Sequence, residues 1–142
     1  MLRHETSLRV RYADTDQMRY AYYGVYFAYF EQGRSDLLRS IGMPYPVLEA
    51  MGFILPVIEA HAEYKRPAHY DDLLHIVTML RDRPVARVRL DYEVYNEQRN
   101  ELVAEGYTIH SFVHAKTGKP TRAPLSFLEV IDAATTGRIA KG

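Results

Sequence analysis

Two aspartates separated by a threonine, Asp14 and Asp16, stand just before a segment dominated by aromatic residues, YYGVYFAYF at 22–30. A carboxylate beside so much apolar surface costs free energy unless it is hydrogen-bonded or has a chemical task. Such a carboxylate can attack a carbonyl carbon or activate a water molecule as a general base. A thioester is a suitable target, because its carbonyl carbon is electrophilic and a thiolate leaves without strong acid assistance.

The aromatic segment is predicted to begin a helix, and the start of that helix would supply the second part of such a site. The first N–H groups of a helix have no partner within it and lie at its positive end. We therefore expect the main-chain amides of Tyr23 and Gly24 to be free to stabilise an oxyanion. A purely structural role for Asp14 and Asp16 stays open, because Asp is frequent in turns and helix caps.

A helical pattern runs from about Gly24 to Ile41. Its apolar stripe consists of Tyr26, Phe30, Gly33, Leu37 and Ile41. The first half is apolar on every side, so that more protein than one sheet must cover it, and we expect a second subunit to do so. Glu31 and Arg34 are three residues apart, which predicts an intrahelical ion pair that could also support the acidic loop.

Alternating apolar and polar residues predict strands in the rest of the chain. The predicted strands cover 7–13, 53–65, 73–81, 86–96 and 102–114, and short helices are predicted near 47–51 and 124–134. The order of one strand, a long helix and four strands predicts an α+β fold, a curved five-stranded antiparallel sheet wrapped around one central helix. No repeat or linker interrupts residues 1–142, so we expect a single domain, with a loose tail from Thr135.

The composition argues against several classes of function. Lys+Arg and Asp+Glu both number 18, so there is no basic excess for nucleic-acid binding. The absence of cysteine excludes disulfides and thiolate catalysis and fits a reducing cytoplasm, the predicted location. No apolar run approaches the roughly 20 residues that span a bilayer, and MLRHETSLRV has no signal-peptide core, so neither a span nor an export signal is expected.

Motifs of other enzyme classes are missing from the sequence. There is no G-x-S-x-G, no phosphate-binding glycine loop and no H-E-x-x-H. His110 and His114 would share one face of a strand, which leaves a metal pair as an alternative, although zinc requires further ligands. We expect no metal.

The residues around the two aspartates resemble a known family. The segments RYADTDQM at 11–18 and YFAYFEQGR at 26–34 are similar to 4-hydroxybenzoyl-CoA thioesterase-like acyl-CoA thioesterases, which include the Tol–Pal-associated type. Weaker agreement at EYKRPA, 63–68, carries the resemblance on to about Ile131. The resemblance implies the hotdog fold and hydrolysis of an acyl- or aryl-CoA to free acid and CoA. It further implies a homodimer or homotetramer, with coenzyme A as part of the substrate and no bound cofactor.

The resemblance also implies roles for individual residues. The family's catalytic acid falls on Asp16, as nucleophile or as general base, and its oxyanion donor falls on the Tyr23 amide, with Gly24 the next candidate. Tyr23 stands where several relatives have His, so a His-assisted mechanism is not expected. Arg19 stands where the family has a Gly, a residue suited to close approach or positive φ.

Two groups of residues are candidates for binding the substrate. Tyr26 belongs to a cluster of tyrosines near the proposed site and is expected to line the acyl pocket. Arg83 and Arg87 are expected to hold the coenzyme A phosphates, the alternative being a solvated charged edge of the sheet. A non-catalytic acyl-CoA or lipid-binding module and an acyl-carrier-protein thioesterase remain competing functions, whereas the lack of an acid–histidine pair argues against a dehydratase.

Overall fold

The computed structural model describes residues 1–135, and three α-helices, one short 3-10 helix (Tyr12–Asp14) and seven strands lie within them. The helices are α1 (Val25–Ser40), α2 (Tyr45–Ala50) and α3 (Leu125–Thr135). The strands are β1 (Leu2–Arg9), β2 (Phe53–Ile54), β3 (Val57–Tyr64), β4 (Leu73–Leu80), β5 (Arg87–Asn96), β6 (Glu101–Ser111) and β7 (Val113–His114). Five strands form one antiparallel sheet in the order β1-β4-β5-β6-β3, and β2 pairs with β7. The predicted five-stranded sheet and long helix are thus confirmed.

Helix α1 lies very close to the inner face of the sheet. A Cβ atom added to Gly33 would lie 2.4 Å from Thr78 Oγ1 and 2.9 Å from Ile76 Cγ2, so only glycine fits at this crossing without displacing β4. Nearer the start of the helix, the ring of Phe30 stacks on the ring of Tyr92, with centroids 4.3 Å apart. These contacts fix the height of α1 above the sheet, and with it the position of the loop that leads into the helix.

The ion pair predicted between Glu31 and Arg34 is wrong. Arg34 is half-buried, and its Nε donates a hydrogen bond to the Tyr45 hydroxyl over 3.0 Å. Glu31 is exposed and has no ion-pair partner in the described part of the chain. The bond to Tyr45, which lies on α2, turns the guanidinium away from Glu31, an effect that helical spacing does not reveal.

Several predicted element bounds also need correction. The first strand covers Leu2–Arg9 rather than 7–13, because the inward-facing Thr6 is polar and bonds to Asp36 over 3.0 Å, which hides the alternation. Predicted strand 53–65 is interrupted at Pro56, which has no N–H for the ladder. Predicted strand 102–114 is interrupted at Phe112, whose N–H instead bonds to Ala86. The tail predicted to be loose lies outside the described residues beyond Thr135, which itself ends α3.

The apolar start of α1 is only partly covered within one chain. Phe27 is 38% exposed and Tyr23 is 62% exposed. Strand β3 is an edge strand of the sheet, and nearly all of its residues are exposed. Among residues 1–135, none of the helices combines the length and hydrophobicity that a bilayer crossing requires.

Candidate active site

The two aspartates of the acidic loop have opposite environments. Asp14 is 4% exposed, and its carboxylate accepts hydrogen bonds from the Arg11 main chain (3.0 Å), the Arg11 guanidinium (3.0 and 3.2 Å) and the Tyr29 hydroxyl (2.9 Å). Burial alone would raise the pKa of Asp14, but these bonds outweigh it and hold the pKa below its ordinary value. Asp14 is therefore an ionised anchor that ties the loop to α1, with no oxygen facing solvent.

Asp16 is held by one carboxylate oxygen and leaves the other free. Its Oδ1 accepts hydrogen bonds from the N–H groups of Met18 (2.9 Å) and Tyr20 (3.3 Å). Its Oδ2 has no hydrogen-bond partner in the described chain. Asp16 lines a cleft of about 350 Å³, and it also lines a second pocket that it shares with Arg19 and Tyr70. A carboxylate oxygen that has no hydrogen-bond partner, on a residue that lines a cavity, can act on water or on a bound carbonyl carbon.

Arg19 adopts the backbone conformation that a glycine would favour at this point of the loop. Its φ is +67°, in the left-handed region, and its N–H donates to the Asp16 carbonyl over 2.9 Å. This conformation costs an L-residue roughly 1–2 kcal/mol. The loop therefore keeps a glycine-like shape with Arg19 in place.

The start of α1 presents two unpaired N–H groups. The peptide groups before them are fixed, because Tyr22 N–H donates to the Asp14 carbonyl (2.7 Å) and Val25 N–H donates to the Tyr22 carbonyl (2.9 Å). Within residues 1–135, the N–H groups of Tyr23 and Gly24 have no acceptor. Tyr23 lines the same cleft as Asp16. Gly24 lies against the Tyr22 ring, because a Cβ atom added to Gly24 would stand 2.7 Å from a carbon of that ring. The cleft is thus lined both by a residue with an unpaired carboxylate oxygen and by a residue whose amide is unpaired.

The walls of this cleft are aromatic and its rim is cationic. Four tyrosines line it, Tyr20, Tyr23, Tyr26 and Tyr64, together with Asp16, Met18, Ala21, Lys65, Arg66 and Pro67. Burial raises the pKa of Tyr26 to about 12, so its hydroxyl stays protonated at neutral pH. An apolar acyl or aryl group suits such walls. At the rim Lys65 is already paired with Glu63 and Glu105, so Arg66 is the residue that suits an anionic group.

The two arginines expected to bind phosphate lie elsewhere. Arg83 follows β4, whose other end adjoins the acidic loop, so about 25 Å of strand separates it from that loop. Its guanidinium pairs with Asp132 over 2.9 Å. Arg87 begins β5 at the same end of the sheet. Within one chain, neither arginine reaches the Asp16 cleft.

No group of three or more metal-binding side chains occurs in residues 1–135. His110 is 1% exposed; its Nδ1 lies 3.0 Å from the Leu55 carbonyl and its Nε2 lies 2.9 Å from Thr108 Oγ1. A carbonyl only accepts hydrogen bonds, so Nδ1 carries the proton and Nε2 accepts from Thr108. His110 is thus occupied within the core, while His114 is exposed on β7.

Sequence reasoning missed the partners that hold the site in place. The signal for the anchor was present: Arg11 lies three residues before Asp14, and Tyr29 lies one helical turn after Tyr26, on the side of α1 that faces the loop. No local signal connects Tyr64 with the start of α1, because 41 residues separate it from Tyr23.

A five-stranded antiparallel sheet around one long helix defines a hotdog-fold protein. A DHNA-CoA thioesterase from Staphylococcus aureus is similar to this structure with a TM-score of 0.85 and 29% identity over 99% of this chain and 98% of that chain. The model of the thioesterase-like superfamily matches residues 10–133. The chain belongs to this family, which confirms the resemblance seen in the sequence.

Two further relatives extend the comparison. YneP of Bacillus subtilis (strain 168), provisionally named an acyl-CoA thioesterase, is 31% identical over 120 residues, which cover 84% of this chain and 86% of YneP. The acyl-CoA thioester hydrolase YbgC of Escherichia coli O6:H1 is 28% identical over 121 residues, which cover 85% of this chain and 90% of YbgC. The family match at 10–133 includes the acidic loop, the central helix and four of the five strands of the main sheet.

Proposed function

We propose that this protein hydrolyses an acyl- or aryl-CoA thioester to the free acid and CoA, with Asp16 as the catalytic carboxylate. The observation that carries the proposal is the cleft shared by Asp16 and Tyr23, one with an unpaired carboxylate oxygen and the other with an unpaired N–H. Membership of a thioesterase family supports the same reaction.

In the proposed reaction, the thioester carbonyl oxygen accepts a hydrogen bond from the Tyr23 N–H. This N–H stands at the positive end of α1 and stabilises the charge that develops on the oxygen. Asp16 Oδ2 either takes a proton from water as the water attacks the carbonyl carbon, or attacks that carbon itself to form an anhydride that water then hydrolyses. In both routes the C–S bond breaks and the thiolate leaves as CoA. The scheme uses no metal or bound cofactor.

The proposed substrate position places the acyl or aryl group against Tyr26 and the other cleft tyrosines. Coenzyme A would then leave the cleft past its rim, where Lys65 and Arg66 stand. Arg83 and Arg87 can take part in phosphate binding only from a second copy of the chain, because their own chain holds them at the far end of the sheet. We propose that Arg83 and Arg87 of one copy bind the phosphates of the coenzyme A that occupies the cleft of another copy.

A homodimer is the assembly that we propose. The exposed edge strand β3 ends at Tyr64 beside the cleft, and the exposed Phe27 and Tyr23 lie on α1 and the turn before it. An uncovered edge strand next to an apolar patch favours pairing with another copy. We further propose a homotetramer as the complete assembly and a cytoplasmic location, where acyl-CoA is available. Sedimentation at micromolar concentration tests the assembly, and a monomer would contradict it.

A thiol-release screen tests the proposed activity. Short, long and aromatic acyl-CoAs are supplied with equal amounts of purified protein, and free CoA is followed with a thiol reagent. We expect turnover of at least one class, with aromatic acyl groups favoured by the tyrosine walls. Binding of acyl-CoA without release of thiol would favour the binding-module alternative, and faster release from acyl carrier protein than from acyl-CoA would favour a carrier-protein thioesterase.

A further inference from the structure

One cleft tyrosine makes a main-chain contact that the proposed reaction does not yet use. The Tyr64 hydroxyl donates a hydrogen bond to the Tyr23 carbonyl over 2.8 Å. Tyr64 is the last residue of β3, on the edge of the sheet, whereas Tyr23 belongs to the turn before α1. The bond therefore ties the sheet edge to the peptide group between Tyr23 and Gly24.

The geometry of a peptide group gives this contact a consequence for the neighbouring amide. A trans peptide is planar, and its C=O and N–H point in opposite directions. A hydrogen bond that fixes the Tyr23 carbonyl therefore also fixes the direction of the Gly24 N–H. Because a hydrogen bond accepted at a carbonyl polarises the whole amide, it also makes that N–H a stronger donor.

The two peptide groups that flank Tyr23 are thus both held through their carbonyl groups. The Tyr22–Tyr23 peptide is held by the Val25 N–H, which bonds to the Tyr22 carbonyl over 2.9 Å. This bond comes from the helix itself and would exist in any helix that begins at this point. The Tyr23–Gly24 peptide lacks such a main-chain donor, since the Phe27 N–H bonds to the Gly24 carbonyl instead, over 3.3 Å. Tyr64 supplies the missing donor.

We propose that Tyr64 is a positioning residue for the oxyanion-binding turn: by holding the Tyr23 carbonyl it fixes the main chain of Tyr23, whose own N–H is the oxyanion donor of the proposed reaction. The inference rests on the proposed thioesterase function. Tyr64 lines the cleft, and its ring lies edge-on to the Tyr26 ring with centroids 5.3 Å apart. That packing fixes the position of the ring and aims the hydroxyl at the turn.

The test is Tyr64→Phe, which removes one oxygen and keeps the ring packing. Removing an oxyanion donor outright lowers kcat about 10²–10³-fold, so loosening the turn that carries the Tyr23 donor should lower kcat about 10-fold. KM and the dissociation constant of a thioether analogue that lacks the carbonyl should stay unchanged. The matched control is Tyr95→Phe, on the outer face of β5, which should retain wild-type kcat. An unchanged kcat, or a rise in KM alone, would show that Tyr64 is only a wall of the cleft.

A second measurement separates this inference from the proposed function. The chain has eight glycines, so the Gly24 amide can be resolved and assigned in a ¹⁵N spectrum. We expect the Gly24 ¹⁵N shift to move in Tyr64→Phe and to stay in place in Tyr95→Phe, because loss of the carbonyl hydrogen bond changes the polarisation of that peptide. A wild-type protein that releases no thiol would refute the function alone, whereas an unmoved Gly24 shift would refute the role of Tyr64.

Discussion

The anchor of the acidic loop gives the sharpest prediction about stability. Tyr29→Phe removes the hydroxyl that donates to the buried Asp14 carboxylate over 2.9 Å and leaves the ring in place. A hydrogen bond to a charged group contributes about 1.5–3 kcal/mol, and Asp14 keeps its bonds from Arg11. We therefore expect the free energy of unfolding to fall by about 1.5–3 kcal/mol. For 142 residues this lowers Tm by roughly 5–10 °C.

Urea unfolding at pH 7 and thermal scans measure this change, with Tyr70→Phe as the matched control. Tyr70 is 61% exposed, and its hydroxyl has no hydrogen-bond partner in the described residues, so its loss should change stability by less than about 0.5 kcal/mol. The lowered pKa of Asp14 sets the pH range. Its contribution is present above the ordinary value of 3.8 and is lost as pH falls through the folded value. Equal stability of the two variants at pH 7 would refute the anchor.

The remaining predictions concern the core. Burial, followed by the charge of Arg34, lowers the pKa of His110 below 6.5. The free energy of unfolding should therefore fall by up to about 1.4 kcal/mol per pH unit below pH 6.5. His110→Leu should lose this pH dependence, which urea unfolding between pH 7.5 and 5.5 measures. An equal slope in both proteins would contradict the buried neutral imidazole. Thr78→Val should leave the free energy of unfolding unchanged or raise it by about 1 kcal/mol, because the buried Thr78 hydroxyl has no partner within residues 1–135. Thr108→Val breaks hydrogen bonds to Tyr92 and His110 and should lower the free energy of unfolding by about 1–3 kcal/mol. The reverse order of the two threonine variants in chemical denaturation would refute that assignment.

The central helix and the succession of one strand, a long helix and four strands along the chain could be predicted because they depend on periodicity. Helix α1 was predicted within one residue at each end, since its stripe of Phe30, Gly33 and Leu37 repeats at helical spacing. The bounds of β1 could not be predicted, because its inward face carries Thr6, which is buried through a hydrogen bond with Asp36 rather than through apolarity. Polar residues on a buried face remove the alternation on which strand prediction depends.

The candidate site was predictable where it is local and unpredictable where it depends on distant segments. Asp16 and the Tyr23 amide lie within one short stretch whose acid and helix start are both visible in the sequence. The separation of Asp14 as anchor from Asp16 as cleft residue needed the fold, because it depends on which oxygens face Tyr29 on α1. The position of Arg83 depends on the length of β4, which carries it away from the acidic loop.

The most direct test of the proposed mechanism compares Asp16→Asn with Asp71→Asn in the thiol-release assay under saturating acyl-CoA. An Asn side chain retains an oxygen that can accept from Met18 and Tyr20 N–H, so the loop should keep its shape while the carboxylate is lost. Asp71 does not line the cleft and serves as the control. We predict that kcat falls about 10²–10⁴-fold in Asp16→Asn with acyl-CoA affinity preserved, and that Asp71→Asn matches the wild type. Wild-type turnover by Asp16→Asn would contradict the account.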